Sequence, residues 1–170
     1  MSIGVEIGHR ISEGRLFPLI PRAAGSSPRR AMFVSEEVWN LLSVTHDDEE
    51  MEDRLGKLQA DLEQFAEGQP IDPTYLKLLA PGRDAVWEIR SVRPAPSIRV
   101  LGRFAAYDVF IATNCTLRKP LGGWDSNEWK AAKRAALACW NRLFGTYPPL
   151  CSTKIGDLVS GAHNGKYYKD

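Results

Sequence analysis

The chain has 170 residues, enough for one domain with a sizeable core, so it needs no disulfide or metal staple. With 44% hydrophobic and 25% charged residues it has the composition of an ordinary globular protein. No apolar run approaches the ~18 residues of a membrane span, and the start MSIGVEIGHRISEG lacks a basic-then-apolar signal segment.

Residues 1–20 alternate weakly around Pro18 and read as an early strand or a loosely held arm. PRAAGSSPRR (21–30) is rich in Pro, Gly and Ser and reads as a linker. AMFVSEEVWNLL (31–42) begins β-like and turns amphipathic, so a short strand is expected to enter a helix near Ser35, with Glu36 and Glu37 in its first turn. From Asp47 to about Ala66 the helical signal is strong. Met51, Leu55, Leu58, Leu62 and Phe65 form one stripe, acidic residues crowd the first turns, and Gly68 and Pro70 end it. PTYLKLLAPG follows as a short helical or irregular stretch.

Three strands are predicted next, over 86–92, 97–104 and 107–113, joined by RPAP and by a tight Ala105-Ala106 connection; this is an antiparallel meander. The loop CTLRKPLGGW then leads to a helix over 126–144, with Asp125 as N-cap, Glu128 three residues later, and an apolar face of Trp129, Ala132, Ala136, Trp140, Leu143 and Phe144. Residues 145–170 hold little apolar content and read as a peripheral extension; His163, Tyr167 and Tyr168 within it read as a loose terminus. The fold class is therefore α+β, with helices packed on an antiparallel sheet.

Three cysteines, Cys115, Cys139 and Cys151, stand without CxxC or His-rich spacing. They argue for a reducing compartment and read as small apolar residues. The chain is thus read as soluble and cytoplasmic, with no metal or cofactor. The net charge of +1 conceals a split: residues 1–82 sum to −6, residues 83–142 to +6 and the remainder to +1. Such asymmetry suggests an acidic partner, nucleic acid or protein, for the basic part, unless the two parts face each other or solvent.

The meander carries an anomaly. In VWEIRSVRPAPSIRVLGRF (86–104), alternation puts Trp87 and Ile89 on one face and Glu88 and Arg90 on the other. A four-residue RPAP loop sets Trp87 opposite Gly102, Ile89 opposite Val100, and Arg90 opposite Arg99. The Trp–Gly pairing lets the indole lie across the missing side chain. Like charges directly across a ladder cost ~0.2–1 kcal/mol. With Arg103 on the same face, and Glu88 offsetting part of the charge, this face reads as a basic platform or as a solvated face with snorkelling arginines.

In this order the elements resemble the RelE/HigB toxin superfamily, in particular its phage-derived branch. The resemblance rests on the amphipathic helix Met51–Phe65, Gly68, Lys77-Leu78, WEIR (87–90), SIRV (97–100), VFIAT (109–113), Arg118-Lys119 and the helix carrying Trp129. It spans 31–144, leaving 1–30 as an arm and 145–170 as an extension. It implies a small curved antiparallel sheet with flanking helices and a toxin that cleaves mRNA, in most members at the ribosome, held inactive by a cognate antitoxin, here expected to be a helix-turn-helix protein. It further implies Arg90, Arg99, Arg118 and Lys119 as the catalytic set.

These residue types suit metal-free RNA cleavage, in which the 2′-OH attacks the adjacent phosphate. Arginine clamps the charge gathered on phosphate oxygens, and lysine can exchange a proton. Arg103, Lys130 and Arg134 are expected to extend the nucleic-acid surface. No histidine or second base stands near the set; Tyr107 is a weak candidate, and His9 and His46 read as surface residues. The alternatives are a toxin-like module that binds without cutting and a gyrase-directed toxin of the same fold.

Overall fold

The computed structural model describes residues 1–22 and 28–168; the middle of the expected linker, 23–27, lies outside them. The elements in chain order are α1 (Ile3–Ser12), β1 (Leu16–Pro18), β2 (Ala31–Ser35), α2 (Glu36–Ser43), α3 (Glu49–Glu67), β3 (Leu76–Leu78), β4 (Trp87–Ser91), β5 (Ile98–Ala106), β6 (Val109–Leu117) and α4 (Asn127–Phe144). The fold is α+β, as expected, but its sheet is larger than the small antiparallel one anticipated. Among the described residues six strands run in the order β1-β2-β6-β5-β4-β3, and β2 pairs β6 in parallel.

Local chemistry accounts for the helices. The Asp48 side chain caps α3 by accepting from the Glu50 and Met51 amides, and Gly68 closes it at φ 79°, a conformation open to glycine without a Cβ penalty. Ser35 caps α2 through the Val38 amide. The N-cap of α4 is Ser126, not Asp125; its hydroxyl accepts from the Trp129 amide at 3.1 Å.

The meander has the expected register: Trp87 faces Gly102, Ile89 faces Val100 and Arg90 faces Arg99. Its second turn lies two residues later than expected. β5 runs on through Ala106, and Tyr107-Asp108 make the connection, with Asp108 at φ 59°. Aspartate tolerates that left-handed conformation better than most residues, and it holds Ser160 through both carboxylate oxygens, each at 2.7 Å. The gap at Gly102 is filled by the Phe110 ring rather than by an indole: a Cβ there would sit 2.6 Å from Phe110 ring carbons.

Helices cover both faces of the sheet. On one face α2 and α3 pack over Trp87, Ile89, Val100, Phe104 and Phe110, with Leu55, Leu58, Leu62 and Phe65 all buried. On the other face α1 and α4 cover Leu16, Ala105 and Ile111 (with Ile7, Trp140, Leu143 and Phe144), and Val86 and Leu101 (with Trp129 and Ala136). The terminal segments are built into this body. α1 packs against α4, and β1 is one of the sheet's two edge strands. The final segment is not a loose terminus. Leu158, Val159 and Tyr167 lie in the main core, and Leu78 donates its amide to the Tyr167 carbonyl, so the chain end covers the outer edge of β3. Blocking an exposed sheet edge in this way removes a template for unwanted strand pairing.

Candidate nucleic-acid interface

The face of β4 and β5 that carries the arginines is partly roofed by α4. Arg103 is 8% exposed. Its Nε and Nη2 both donate to the Asp84 carbonyl, at 3.1 and 2.6 Å, and its guanidinium carbon lies 5.2 Å from the centre of the Trp140 ring. Burial pulls its pKa below the ordinary arginine value. Arg103, expected to extend an RNA surface, is placed under α4 against Trp140 and the Asp84 carbonyl. Lys130 and Arg134 are exposed one turn apart on α4. No hydrogen bond or ion pair among the described residues joins them to the β4–β5 arginines.

Arg90, Arg99 and Arg118 share one sheet face. Arg90 pairs Arg99, Arg99 pairs Thr116, and Arg118 follows two residues after Thr116, with its amide donating to the Ser97 carbonyl at 2.8 Å. Arg99 donates from Nη1 to Ser97 Oγ at 2.7 Å. Lys119 opens the 3-10 turn Lys119–Leu121 beside them and is exposed.

Glu88 explains how Arg90 and Arg99 stand opposite each other. It lies two residues before Arg90 on the same face, 1% exposed, between Lys77 of β3 and Leu101 of β5 in the ladder. Its Oε1 accepts from Arg90 Nε at 2.8 Å and lies 2.8 Å from Arg90 Nη2; its Oε2 lies 3.2 Å from Arg99 Nε. One buried carboxylate thus bridges both guanidinium groups and leaves the triad at +1. Arg99 has 11% of its side chain exposed and Arg90 20%, so both still reach solvent. Burial lowers the Arg99 pKa; Glu88 opposes this, while Arg90 and Arg118 add to it, which places all three arginines within electrostatic reach.

Two further features border the cluster. An open cleft of about 370 Å³ lies at the end of β4, lined by Lys57, Asp61, Thr74, Tyr75, Arg90 and Arg93. Behind it, Arg54 anchors the hairpin by donating to the Ser91 and Pro96 carbonyls, each at 2.8 Å, and Ser91 Oγ donates to Asp61 at 2.6 Å. On the other side, Arg118 lies 5.7 Å from the centre of the Trp129 ring, on which Trp124 stacks.

No family model, curated protein or solved structure matches the chain. Among the described residues, no group of three or more His, Cys, Asp or Glu side chains could hold a metal ion. Among the described residues no helix is long and apolar enough to cross a membrane. The cations form a surface suited to phosphate oxygens, because arginine presents planar paired donors. A proton acceptor is harder to find: the carboxylate bonded to the cluster, Glu88, is committed to two guanidinium groups. Tyr107 sits in the β5–β6 turn, exposed, and the hydroxyl of Tyr167 is bonded to the carbonyls of Ile71 and His163. Sequence reasoning undervalued Glu88 and did not single out Trp124. The signals were a carboxylate at i−2 from a like-charge pair and a tryptophan after two glycines.

Proposed function

We propose that the protein is an RNA-directed toxin of the RelE/HigB kind that engages the RNA backbone through Arg90, Arg99, Arg118 and Lys119. The observation that carries this reading is the meeting of three arginines on one partly uncovered sheet face, with an exposed lysine next in sequence. The resemblance in element order supports the same assignment. Cleavage on this surface would proceed by attack of a ribose 2′-oxygen on the adjacent phosphorus, its hydroxyl proton passing to solvent water, giving a 2′,3′-cyclic phosphate as the P–O5′ bond breaks. The arginines would hold the phosphorane charge, and Lys119 would protonate the departing 5′-oxygen. The partners implied are mRNA, at the ribosome, and a cognate helix-turn-helix antitoxin; the setting implied is the cytoplasm.

A second reading, an RNA-binding module that does not cut, is favoured by the ion pairing of Glu88 with both arginines, which leaves the cluster without an uncommitted carboxylate among the described residues. Induced expression followed by mapping of RNA ends separates the two. The toxin reading expects growth arrest and new 5′-hydroxyl ends, both lost in Arg118→Ala and Lys119→Ala. Single replacement of Arg99 is a poor test, since it strands a buried carboxylate; the double variant Arg99→Gln, Glu88→Gln avoids this. Four phosphate contacts on a single strand predict a slope of log K against log salt of about −2.8. Harmless expression with that salt dependence intact supports the binding module. A slope near zero refutes both.

A further inference from the structure

Trp124 stands in the loop that joins the 3-10 turn to α4. It is 42% exposed, whereas Trp87, Trp129 and Trp140 are buried. Its ring stacks on Trp129 with centroids 5.3 Å apart and planes inclined by 15°. The loop that carries it is held at both ends. Arg118 Nη1 donates to the Gly122 carbonyl at 3.0 Å, the Ser126 amide donates to the Gly123 carbonyl at 3.0 Å, and the Ser126 hydroxyl donates to the Leu121 carbonyl. Gly122 adopts φ 66°, which a side chain would resist. This backbone presents an indole in a fixed attitude at the protein surface. It does so beside Arg118, whose guanidinium both braces the loop and lies against Trp129.

A rigid, partly exposed aromatic ring next to a row of phosphate-binding cations is the arrangement that single-stranded nucleic acid requires. The cations track the backbone, and each unpaired base offers a π-face to the ring. A duplex cannot use the indole in this way, because its bases are already stacked on one another. Resting on the RNA-directed reading above, we propose that the RNA held on the Arg90–Arg99–Arg118 face is single-stranded and that one of its bases stacks on Trp124. The strand then runs from the cleft at Arg90 and Arg93, across β4, β5 and β6, to the Gly122–Ser126 loop. Crossing two inter-strand spacings covers about 10 Å, and the flanking cleft and loop lengthen the track to several nucleotides.

The test uses the full chain and 2′-O-methylated oligoribonucleotides of about 12 residues, which cannot be cut, as a labelled single strand and as the matching duplex. Affinity is read by fluorescence anisotropy for the parent, Trp124→Phe and Trp124→Leu. The expected result is tighter binding of the single strand, a loss of about 5- to 100-fold for Trp124→Leu on that strand only, and near-parental binding for Trp124→Phe. Leucine keeps apolar bulk without a π-face, so an unchanged single-strand affinity in Trp124→Leu overturns the inference while leaving the basic-face reading standing. So does equal loss on both oligonucleotides. Failure of the parent to bind either one at low salt overturns the basic-face reading, and this inference with it. Unchanged melting midpoints establish that the variants are folded.

Discussion

Replacing Glu88 by glutamine removes the carboxylate between Arg90 and Arg99 while keeping the side chain's volume and one acceptor oxygen. At an effective dielectric of about 20, each of the two ion pairs lost is worth about 4 kcal/mol before desolvation, while the repulsion between the two arginines is present with or without the carboxylate and does not enter the difference. Against these stands the recovered cost of keeping a carboxylate 1% exposed, which is several kcal/mol. Arg90 and Arg99, at 20% and 11% exposure, can also relax partly into water. The net expectation is a loss of about 3 kcal/mol, hence a melting midpoint lower by about 6–12 °C for a chain of this size. Urea titration at neutral pH measures it. The same substitution removes a negative charge beside the proposed phosphate contacts, so single-stranded RNA should bind more tightly, with the same four contacts and a salt slope still about −2.8. A stability change within ~0.5 kcal/mol would refute the bridging role assigned to Glu88. A large loss of stability with unchanged RNA affinity would show that the arginines beside Glu88 do not contact phosphate.

Gly102→Ala should destabilise by about 3 kcal/mol or abolish folding, because the added methyl meets the Ile111 carbonyl oxygen as well as the Phe110 ring, and backbone cannot move aside as a side-chain tip can; a midpoint within experimental error of the parent would refute that packing. The cysteines should separate by reactivity. Burial pushes the Cys115 thiol up to about 12, with Glu37 adding to the rise, and burial also raises Cys139, whereas Cys151 is exposed. Under native conditions near pH 8, one thiol, Cys151, should titrate rapidly with a disulfide reagent; three rapid equivalents would overturn the assignment. The Cys115 shift also sets an alkaline limit. Between the ordinary thiol value, near 8.5, and about 12, the unfolded chain ionises while the folded one does not, so stability should fall as pH rises through that window. Cys115→Ala should flatten that fall.

The sequence by itself determined the parts that short-range chemistry controls. The stripe from Met51 to Phe65, the acidic first turn and Gly68 dictate α3, since each acts within a few residues along the chain. The hairpin register follows from alternation and loop length, which is why Arg90 could be set opposite Arg99 from the sequence. The Tyr107-Asp108 turn was missed because Ala105 and Ala106 fit either a strand or a tight link, and the hold of Asp108 on Ser160 is made across the fold. The parallel pairing of β2 with β6 joins segments some 80 residues apart, and nothing local announces it. Alternation also states which side chains share a face but not what covers that face. Only the tertiary structure decided that α4 buries Arg103 against Trp140 and sets Trp129 against Arg118. It likewise decided that Tyr167 closes the edge of β3 rather than fraying, because an apolar side chain is buried wherever the rest of the chain leaves it room.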